Sequence, residues 1–195
     1  MITRTLADHI ATAPSRPLPR EVALGIESGS DRLLTYMGKR ITNEMTRSVV
    51  ERLTRHGINV KGYFIVGFPT ETKAELAQTP ALVYDLWDLT KNGPGAFRAS
   101  VFEFRPYPGT PEWTRLLQSG RFTPRQLRDY AAVDLTSSGL DEAMRERDEF
   151  NFSVNLQFGE ATIDEVRAVL TELSVEQFRR RDLASSQPPV LREAH

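Results

Sequence analysis

Hydrophobic and polar residues divide most of this chain into two alternating kinds of segment. Near-continuous apolar runs, which are typical of strands buried on both faces, occur near residues 21–27, 59–67 and 98–105. Segments whose apolar residues recur three and four positions apart are typical of helices, and they lie near residues 31–38, 43–56, 73–91 and 111–118. Because the helical connections are long enough for crossovers, the pattern predicts an α/β fold with parallel strands.

The second apolar run carries the clearest signal. It starts at Val60 and ends abruptly in Gly67-Phe68-Pro69, where glycine frees the backbone and proline prevents a further ladder hydrogen bond. Thr72 and Glu75 have the spacing of a capping box and predict a helix start. The simplest interpretation of Glu71 is an acid in the first turn of that helix. The turn would lie where α/β proteins bind ligands, although an ordinary βα unit explains the stretch equally well.

Beyond Gly120 the pattern changes. Strict alternation of apolar and polar residues over 150–158 predicts a half-buried strand. A second capping box, Thr162 and Glu165, predicts an amphipathic helix, and Ser174 is a candidate cap for one more turn. Further helices are expected from Thr123 to about residue 135 and over 141–149, and a disordered tail from about residue 184.

Composition limits the kinds of function that the chain can have. The formal net charge of the 195 residues is −1, so bulk electrostatics favour neither nucleic acid nor an anionic membrane. No 18-residue apolar run and no signal-peptide pattern are present, which predicts a cytoplasmic protein. The chain has no cysteine, so it cannot itself form disulfides or supply thiolate ligands to zinc or an iron–sulfur cluster.

Three segments in this order and spacing resemble the second half of a radical S-adenosylmethionine (SAM) enzyme. They are Gly25-Ile26-Glu27-Ser28-Gly29-Ser30-Asp31, the stretch from Gly62 to Thr72, and Arg105-Pro106-Tyr107-Pro108-Gly109-Thr110-Pro111. The resemblance looks closest to the branch that often carries a cobalamin-binding domain. It implies strands four to six of a partial, TIM-barrel-like (βα)6 barrel, here a truncated barrel fragment with a mainly helical C-terminal extension. It also implies SAM and a [4Fe-4S] cluster as the family's cofactors.

The resemblance implies which residues meet SAM. They lie at or after the carboxyl ends of the three strands, and they are Glu27, Ser28, Lys39, Ile65, Gly67, Phe68, Pro69 and Tyr107. The carboxylate of Glu27 suits two ribose hydroxyls or an ammonium group. Lys39 matches a basic residue near the SAM carboxylate, although a solvated lysine is an equal alternative. Tyr107 matches an adenine neighbour, with a buried tyrosine under a proline turn as the alternative.

Two departures from the family pattern matter. Thr70 replaces the more usual glycine after the proline, and no Cys-x-x-x-Cys-x-x-Cys loop exists. Only about 20 residues precede the first predicted strand, so we expect strands one to three to be missing. The chain alone is then expected to bind no cluster and perform no reductive SAM cleavage. Its expected partner is an N-terminal half-barrel chain that carries the cysteines, and its small-molecule substrate is unspecified.

Three hypotheses remain open. The chain is the C-terminal half of a radical SAM enzyme, a non-catalytic scaffold or binding subunit derived from one, or an unrelated small α/β enzyme. The third has little support, because the three histidines are scattered and no nucleophile–base spacing or metal motif appears. The expected division is a lead-in over 1–19, a half-barrel over 20–119, an extension over 120–183 and a tail over 184–195.

Overall fold

A computed structural model describes residues 20–131 and 156–186, with side chains for 20–127 and 156–180. The strands are β1 (Glu21–Glu27), β2 (Asn59–Val66) and β3 (Phe97–Glu103). The helices are α1 (Asp31–Tyr36), α2 (Asn43–Arg55), α3 (Lys73–Thr90), α4 (Pro111–Gln118), α5 (Pro124–Ala131) and α6 (Ile163–Ser186). None of these helices has both the length and the apolar character needed to cross a membrane.

The three strands form one parallel sheet in the order β1-β2-β3. Val60 of β2 lies opposite Val22 on one side and Phe97 on the other. A β-bulge between Gly25 and Glu27 interrupts the β1–β2 register at its carboxyl end. The predicted parallel α/β arrangement is confirmed, and β3 starts and ends slightly earlier than the predicted 98–105.

The two faces of the sheet differ in burial. One face packs against helices, and its core includes Val60, Phe64, Phe97, Val83 and Leu86. The other face is more open: Ala23 and Gly25 of β1 are exposed, and Lys61, Tyr63 and Ile65 of β2 are half-buried. In a closed barrel of parallel strands, the face opposite the helices is the interior. We refer to it below as the open face.

A second apolar cluster covers the carboxyl ends of β2 and β3. Its buried members come from strand ends, α1, α4, α5 and the segment before α6: Leu33, Phe68, Phe104, Leu116, Leu127 and Phe158. The rings of Phe68 and Phe104 meet edge to face with centroids 4.6 Å apart, and Phe158 lies 5.4 Å from Phe104. Edge-to-face packing adds to the stabilisation from apolar burial. The strand ends are therefore fixed by residues far apart in sequence.

Helix α6 lies beside α3 and covers β3. Their contacts advance along both helices, from Lys73–Glu165 through Tyr84–Glu172 to Asp88–Arg180. At the β3 edge, the Ala99 N–H donates to Gln177 Oε1 at 2.7 Å. The Gln177 side chain thus pairs a backbone N–H at the edge of the sheet that would otherwise be available to a further strand.

The C-terminal region departs from the predictions in three places. Helix α6 is continuous, so Ser174 starts no separate turn, and it extends to Ser186, past the predicted start of the tail at residue 184. Residues 156–158 are not part of a strand, while the rest of the predicted strand over 150–158 and the predicted helix over 141–149 lie outside the described residues. Tertiary packing against Phe104 holds Phe158 instead of a strand ladder. The capping box of Thr162 and Glu165 is confirmed.

Candidate functional site

An ion pair marks the carboxyl end of β1 on the open face. Glu27 adopts a φ of 72°, and its Oε1 lies 2.6 Å from Lys39 Nζ. The carboxylate folds back over Gly25, where a Cβ atom would come within 2.7 Å of Glu27 Oε1. Side-chain exposure is 15% for Glu27 and 41% for Lys39, so both groups remain within reach of solvent or a ligand. Glycine at position 25 therefore creates the space that the carboxylate occupies.

Aromatic side chains continue the open face beside this pair. Tyr63 is the register partner of Gly25, and its ring stacks with Phe102 of β3 at a centroid distance of 6.1 Å. Lys61 Nζ lies 5.1 Å from the Tyr63 centroid. An aromatic surface next to a carboxylate and an ammonium group suits a ligand that has both an amino-acid end and a planar or ribose part.

The loop after Glu27 turns inward. Ser28 is fully buried, and its Oγ accepts a hydrogen bond from the Ser30 N–H at 3.1 Å. The Gly29 N–H donates to Thr79 Oγ1, and a Cβ atom at Gly29 would come within 2.3 Å of the Gln78 carbonyl oxygen. The loop therefore contacts the α3 backbone at a distance only glycine allows. The hydroxyl of Ser28 is occupied within its own loop.

A salt bridge joins α1, just after the β1 loop, to the start of α3. Arg32 Nε and Nη2 donate to the two carboxylate oxygens of Glu75 at 2.5 and 2.7 Å, and Nη2 also donates to the Thr70 carbonyl. Ser30 Oγ donates to Glu75 as well. The Arg32 hydrogen bonds lower the pKa of Glu75 to about 2, with burial opposing them. The predicted capping box of Thr72 and Glu75 is confirmed, but Glu75 has this second, long-range role.

The side chain of Glu71 holds the turn after β2. Gly67 has a φ of 74°, and the Gly67 N–H donates to Glu71 Oε2 at 2.6 Å. Glu71 precedes the helix cap Thr72, so its interpretation as an acid in the first turn of the helix is wrong. Its side chain is instead buried in the turn, and the residue is 1% exposed. Thr70 has a φ of 72°, a left-handed conformation that glycine adopts without strain. The family's usual glycine would suit this position.

The structure brings most of the predicted site residues into two groups, while Ser28 is buried in its own loop. Glu27 and Lys39 contact each other on the open face. Ile65 and Phe68 belong to the apolar cluster at the strand ends, beside the buried Pro69. Tyr107 belongs to neither group and is 59% exposed, which excludes the alternative of a buried tyrosine under the proline turn.

Sequence reasoning missed three side chains that shape this edge: Arg32, Tyr63 and Glu71. Tyr63 stood in a recognised strand, and its position opposite a glycine was not readable before the strands were paired. Arg32 contacts Glu75 across 43 residues of sequence, so no local spacing signals the pair. For Glu71, the sequence did offer a signal: the apolar turn Gly67-Phe68-Pro69 directly before it, whose free backbone N–H groups need an acceptor.

A pocket that is open to solvent lies beside the turn after β2. Its volume of about 310 Å³ includes solvent space at the mouth, and it lies between the ends of β2 and β3 and the segment leading into α6. Gly67, Glu103 and Gln157 are among its walls, which are otherwise mostly apolar. Burial raises the pKa of Glu103, and the charges of Arg167 and Arg105 oppose that rise.

The described residues fit SAM better than they fit an iron–sulfur cluster. The space over Gly25 brings a carboxylate and an ammonium group together, which matches the two charges of an amino-acid moiety. The chain has no cysteine, and within residues 20–131 and 156–186 no group of three histidines or carboxylates could hold a metal. The chain therefore supplies no cysteine thiolate for a cluster.

Comparisons with known proteins agree with the resemblance seen in the sequence. The radical SAM superfamily model matches residues 1–83. An uncharacterized methyltransferase of Pyrococcus horikoshii is 30% identical over 130 residues, which are 67% of this chain and 27% of that protein. A tRNA-2-methylthio-N(6)-dimethylallyladenosine synthase of Neisseria meningitidis is 40% identical over 102 residues, which are 49% of this chain and 21% of that protein. The matched stretch thus spans about a quarter of these relatives, and the chain belongs to the radical SAM superfamily.

Proposed function

We propose that this chain provides the C-terminal half of the SAM-binding core of a radical SAM enzyme. Its three strands correspond to strands four to six of the family's barrel, in the branch that often carries a cobalamin-binding domain. Reductive cleavage of SAM to a 5′-deoxyadenosyl radical requires a second half that carries the cluster-binding cysteines. That half-barrel chain is the proposed partner, and the substrate of the completed enzyme is unspecified.

One observation carries the proposal: the Glu27–Lys39 pair occupies the open face of the sheet at its carboxyl edge. A bound amino acid offers an ammonium group to Glu27 and a carboxylate to Lys39, so each charge exchanges its present partner for the ligand. Charge-assisted hydrogen bonds of this kind contribute about 1.5–3 kcal/mol each. Tyr63 and Ile65 extend the surface toward β3 and the strand-end turn.

The test is SAM binding by calorimetry, with and without the chain encoded directly upstream if that chain carries the three cysteines. Glu27→Ala is expected to weaken SAM binding about tenfold or more, because one charge-assisted hydrogen bond is lost. Glu51→Ala is the matched control, since Glu51 pairs with Arg55 on the exposed surface of α2. Equal SAM affinity in the wild type and Glu27→Ala would remove Glu27 from the site.

The alternative function is a non-catalytic scaffold or binding subunit derived from a radical SAM protein. The absence of cysteine and the mutual pairing of Glu27 and Lys39 favour it, because the pair is satisfied without a ligand. Production of 5′-deoxyadenosine by the complex of this chain with the cysteine-carrying chain distinguishes the two proposed functions. A scaffold predicts the same rate with Glu27→Ala as with the wild-type chain, whereas a SAM-binding half predicts a loss.

Two further predictions stay open. The name of the Neisseria relative includes tRNA, but the prediction that this chain does not bind nucleic acid rests on its net charge of −1 alone. A gel-shift titration with tRNA at low salt tests it directly. The predicted cytoplasmic location remains a proposal of the same kind.

A further inference from the structure

Glu71 lies where the turn after β2 meets the C-terminal extension. Its side chain points into the turn: Oε2 accepts from the Gly67 N–H at 2.6 Å and from the Phe68 N–H at 3.3 Å. These are the first two backbone donors after β2, and Glu71 itself is 1% exposed. A carboxylate that accepts two consecutive backbone donors fixes the local path of the chain.

The backbone of the same residue holds the extension. The Glu160 N–H donates to the Glu71 carbonyl oxygen at 2.8 Å. A Cβ atom at Gly159 would lie 2.9 Å from that oxygen and 3.0 Å from the Phe68 carbonyl oxygen, so the extension approaches the turn as closely as glycine permits. One residue therefore joins the strand-end turn, through its side chain, to the segment before α6, through its main chain.

The charge of Glu71 is poorly compensated. Oε1 is buried without a hydrogen-bond partner, and burial raises the pKa of Glu71 to about 7 against the two backbone hydrogen bonds. Arg32 from α1 and Glu75 from α3 are the charges that act on it. Lys73 from α3 and Glu160 from the extension lie beside its main chain, where the Glu160 N–H donates to the Glu71 carbonyl. Arg32 is committed to Glu75, while Lys73 pairs with Glu165 and its N–H donates to Glu160. Nothing nearby therefore neutralises Glu71 fully.

We propose that Glu71 is a positioning residue, which holds the Gly67–Phe68 turn in its ligand-facing conformation and fixes the 156–162 segment against it. The C-terminal extension would then influence the SAM-binding edge through this residue. Only the statement about SAM rests on the proposed function, because the role of Glu71 in the turn stands on its own contacts.

The first experiment follows the Gly67 backbone amide by NMR between pH 5 and 8.5. As the carboxylate forms, its hydrogen bond to Gly67 strengthens, so the amide proton is expected to move downfield with a midpoint near pH 7. Glu71→Gln keeps an acceptor oxygen but does not titrate, and its Gly67 amide is expected to stay constant. A Gly67 amide that is constant in the wild type, or titrates equally in Glu71→Gln, would overturn the proposal.

A second variant tests the link to the extension and does not alter Glu71. Gly159→Ala pushes the segment away from the Glu71 and Phe68 carbonyls, so Glu71 becomes better hydrated and the Gly67 midpoint is expected to fall. Gly93→Ala is the control, since its Cβ atom would meet nothing closer than 3.4 Å. An unchanged midpoint in Gly159→Ala would contradict the link between Glu71 and the extension.

The third readout is SAM affinity at pH 6 and pH 8. Wild-type affinity is expected to fall about fivefold at the lower pH, the difference between a charged and a neutral acceptor, while Glu71→Gln changes less than about twofold. Titration of SAM itself is common to both proteins and cancels. Loss of this difference, with the amide result intact, would restrict Glu71 to the turn. If Glu27→Ala also leaves SAM affinity unchanged, the proposed function fails while the amide titration still decides the role of Glu71.

Discussion

The carboxyl ends of β1 and β2 are built in opposite ways. At β1, two opposite charges meet on an open face, over a glycine that leaves them room. At β2, a buried carboxylate, a buried phenylalanine and a proline close the turn from inside. Under the proposed function, the β1 end exchanges its contacts for a ligand at little structural cost, whereas the β2 end serves mainly as a wall. The predictions below test this difference, from the largest expected effect to the smallest.

Phe68→Ala is expected to destabilise the fold by about 4 kcal/mol, because it removes a ring packed edge to face against Phe104 and leaves a cavity. Urea unfolding followed by circular dichroism measures the change. Tyr107→Ala is the control at an exposed predicted site residue and is expected to change stability by less than about 0.5 kcal/mol. Equal losses in the two variants would show that the β2 end is not a buried wall.

The pH dependence of stability is expected to carry two opposite contributions. The pKa of Glu71 is raised from 4.5 to about 7, so its contribution is fully present below pH 4.5 and is lost as the pH rises through 7, by up to roughly 3 kcal/mol. The pKa of Glu75 is lowered to about 2, so its contribution is present above pH 4.5 and is lost as the pH falls through 2. Urea midpoints between pH 5 and 7.5 should depend less on pH in Glu71→Gln than in the wild type. Identical slopes would contradict the assignment.

Arg32→Ala is expected to cost about 2 kcal/mol, because Glu75 is then left nearly buried without its bidentate partner. The figure is below that of a fully buried pair, since half of the Arg32 side chain is exposed. Arg55→Ala removes an exposed pair on α2 and is expected to cost less than about 0.5 kcal/mol. Thermal unfolding of both variants makes the comparison, and a similar loss in both would show that the two strand-end loops are not joined by Arg32.

Glu27→Ala is expected to change stability least, by less than about 1 kcal/mol, because the pair is open to solvent on its lysine side. The same variant is the one expected to weaken SAM binding most. Combined urea unfolding and calorimetry test whether stability and binding separate at this end of the sheet. A large loss of stability would mean that Glu27 is structural, as Phe68 is.

The elements of residues 21–118 were readable because their signals are local. Capping residues such as Thr72 and Thr110 lie within a few positions of the groups they bind, and apolar periodicity reports which side of a helix or strand is buried. The region after residue 120 was harder to predict. The alternation of apolar and polar residues over 150–158 predicted a strand, whereas Phe158 packs onto Phe104 outside any strand. Alternation alone does not distinguish a ladder partner from a ring cluster.

The sequence by itself determined the order of strands and helices over residues 21–118, the lack of cysteine ligands and the carboxyl edge of the sheet as the place of the candidate site, since these depend on composition and short-range spacing. Only the tertiary structure decided which residues at this edge lie on the open face and which hold the fold. Glu27 and Glu71 are both acids at strand ends, yet Glu27 is partly exposed and paired with Lys39, while Glu71 is buried under Gly159 and Glu160. The hydrogen-bond partners of the Glu71 carboxylate, Gly67 and Phe68, are local in sequence. Its burial depends on a segment 89 positions away, because the Glu160 N–H donates to the Glu71 main-chain carbonyl, and no local pattern encodes that contact.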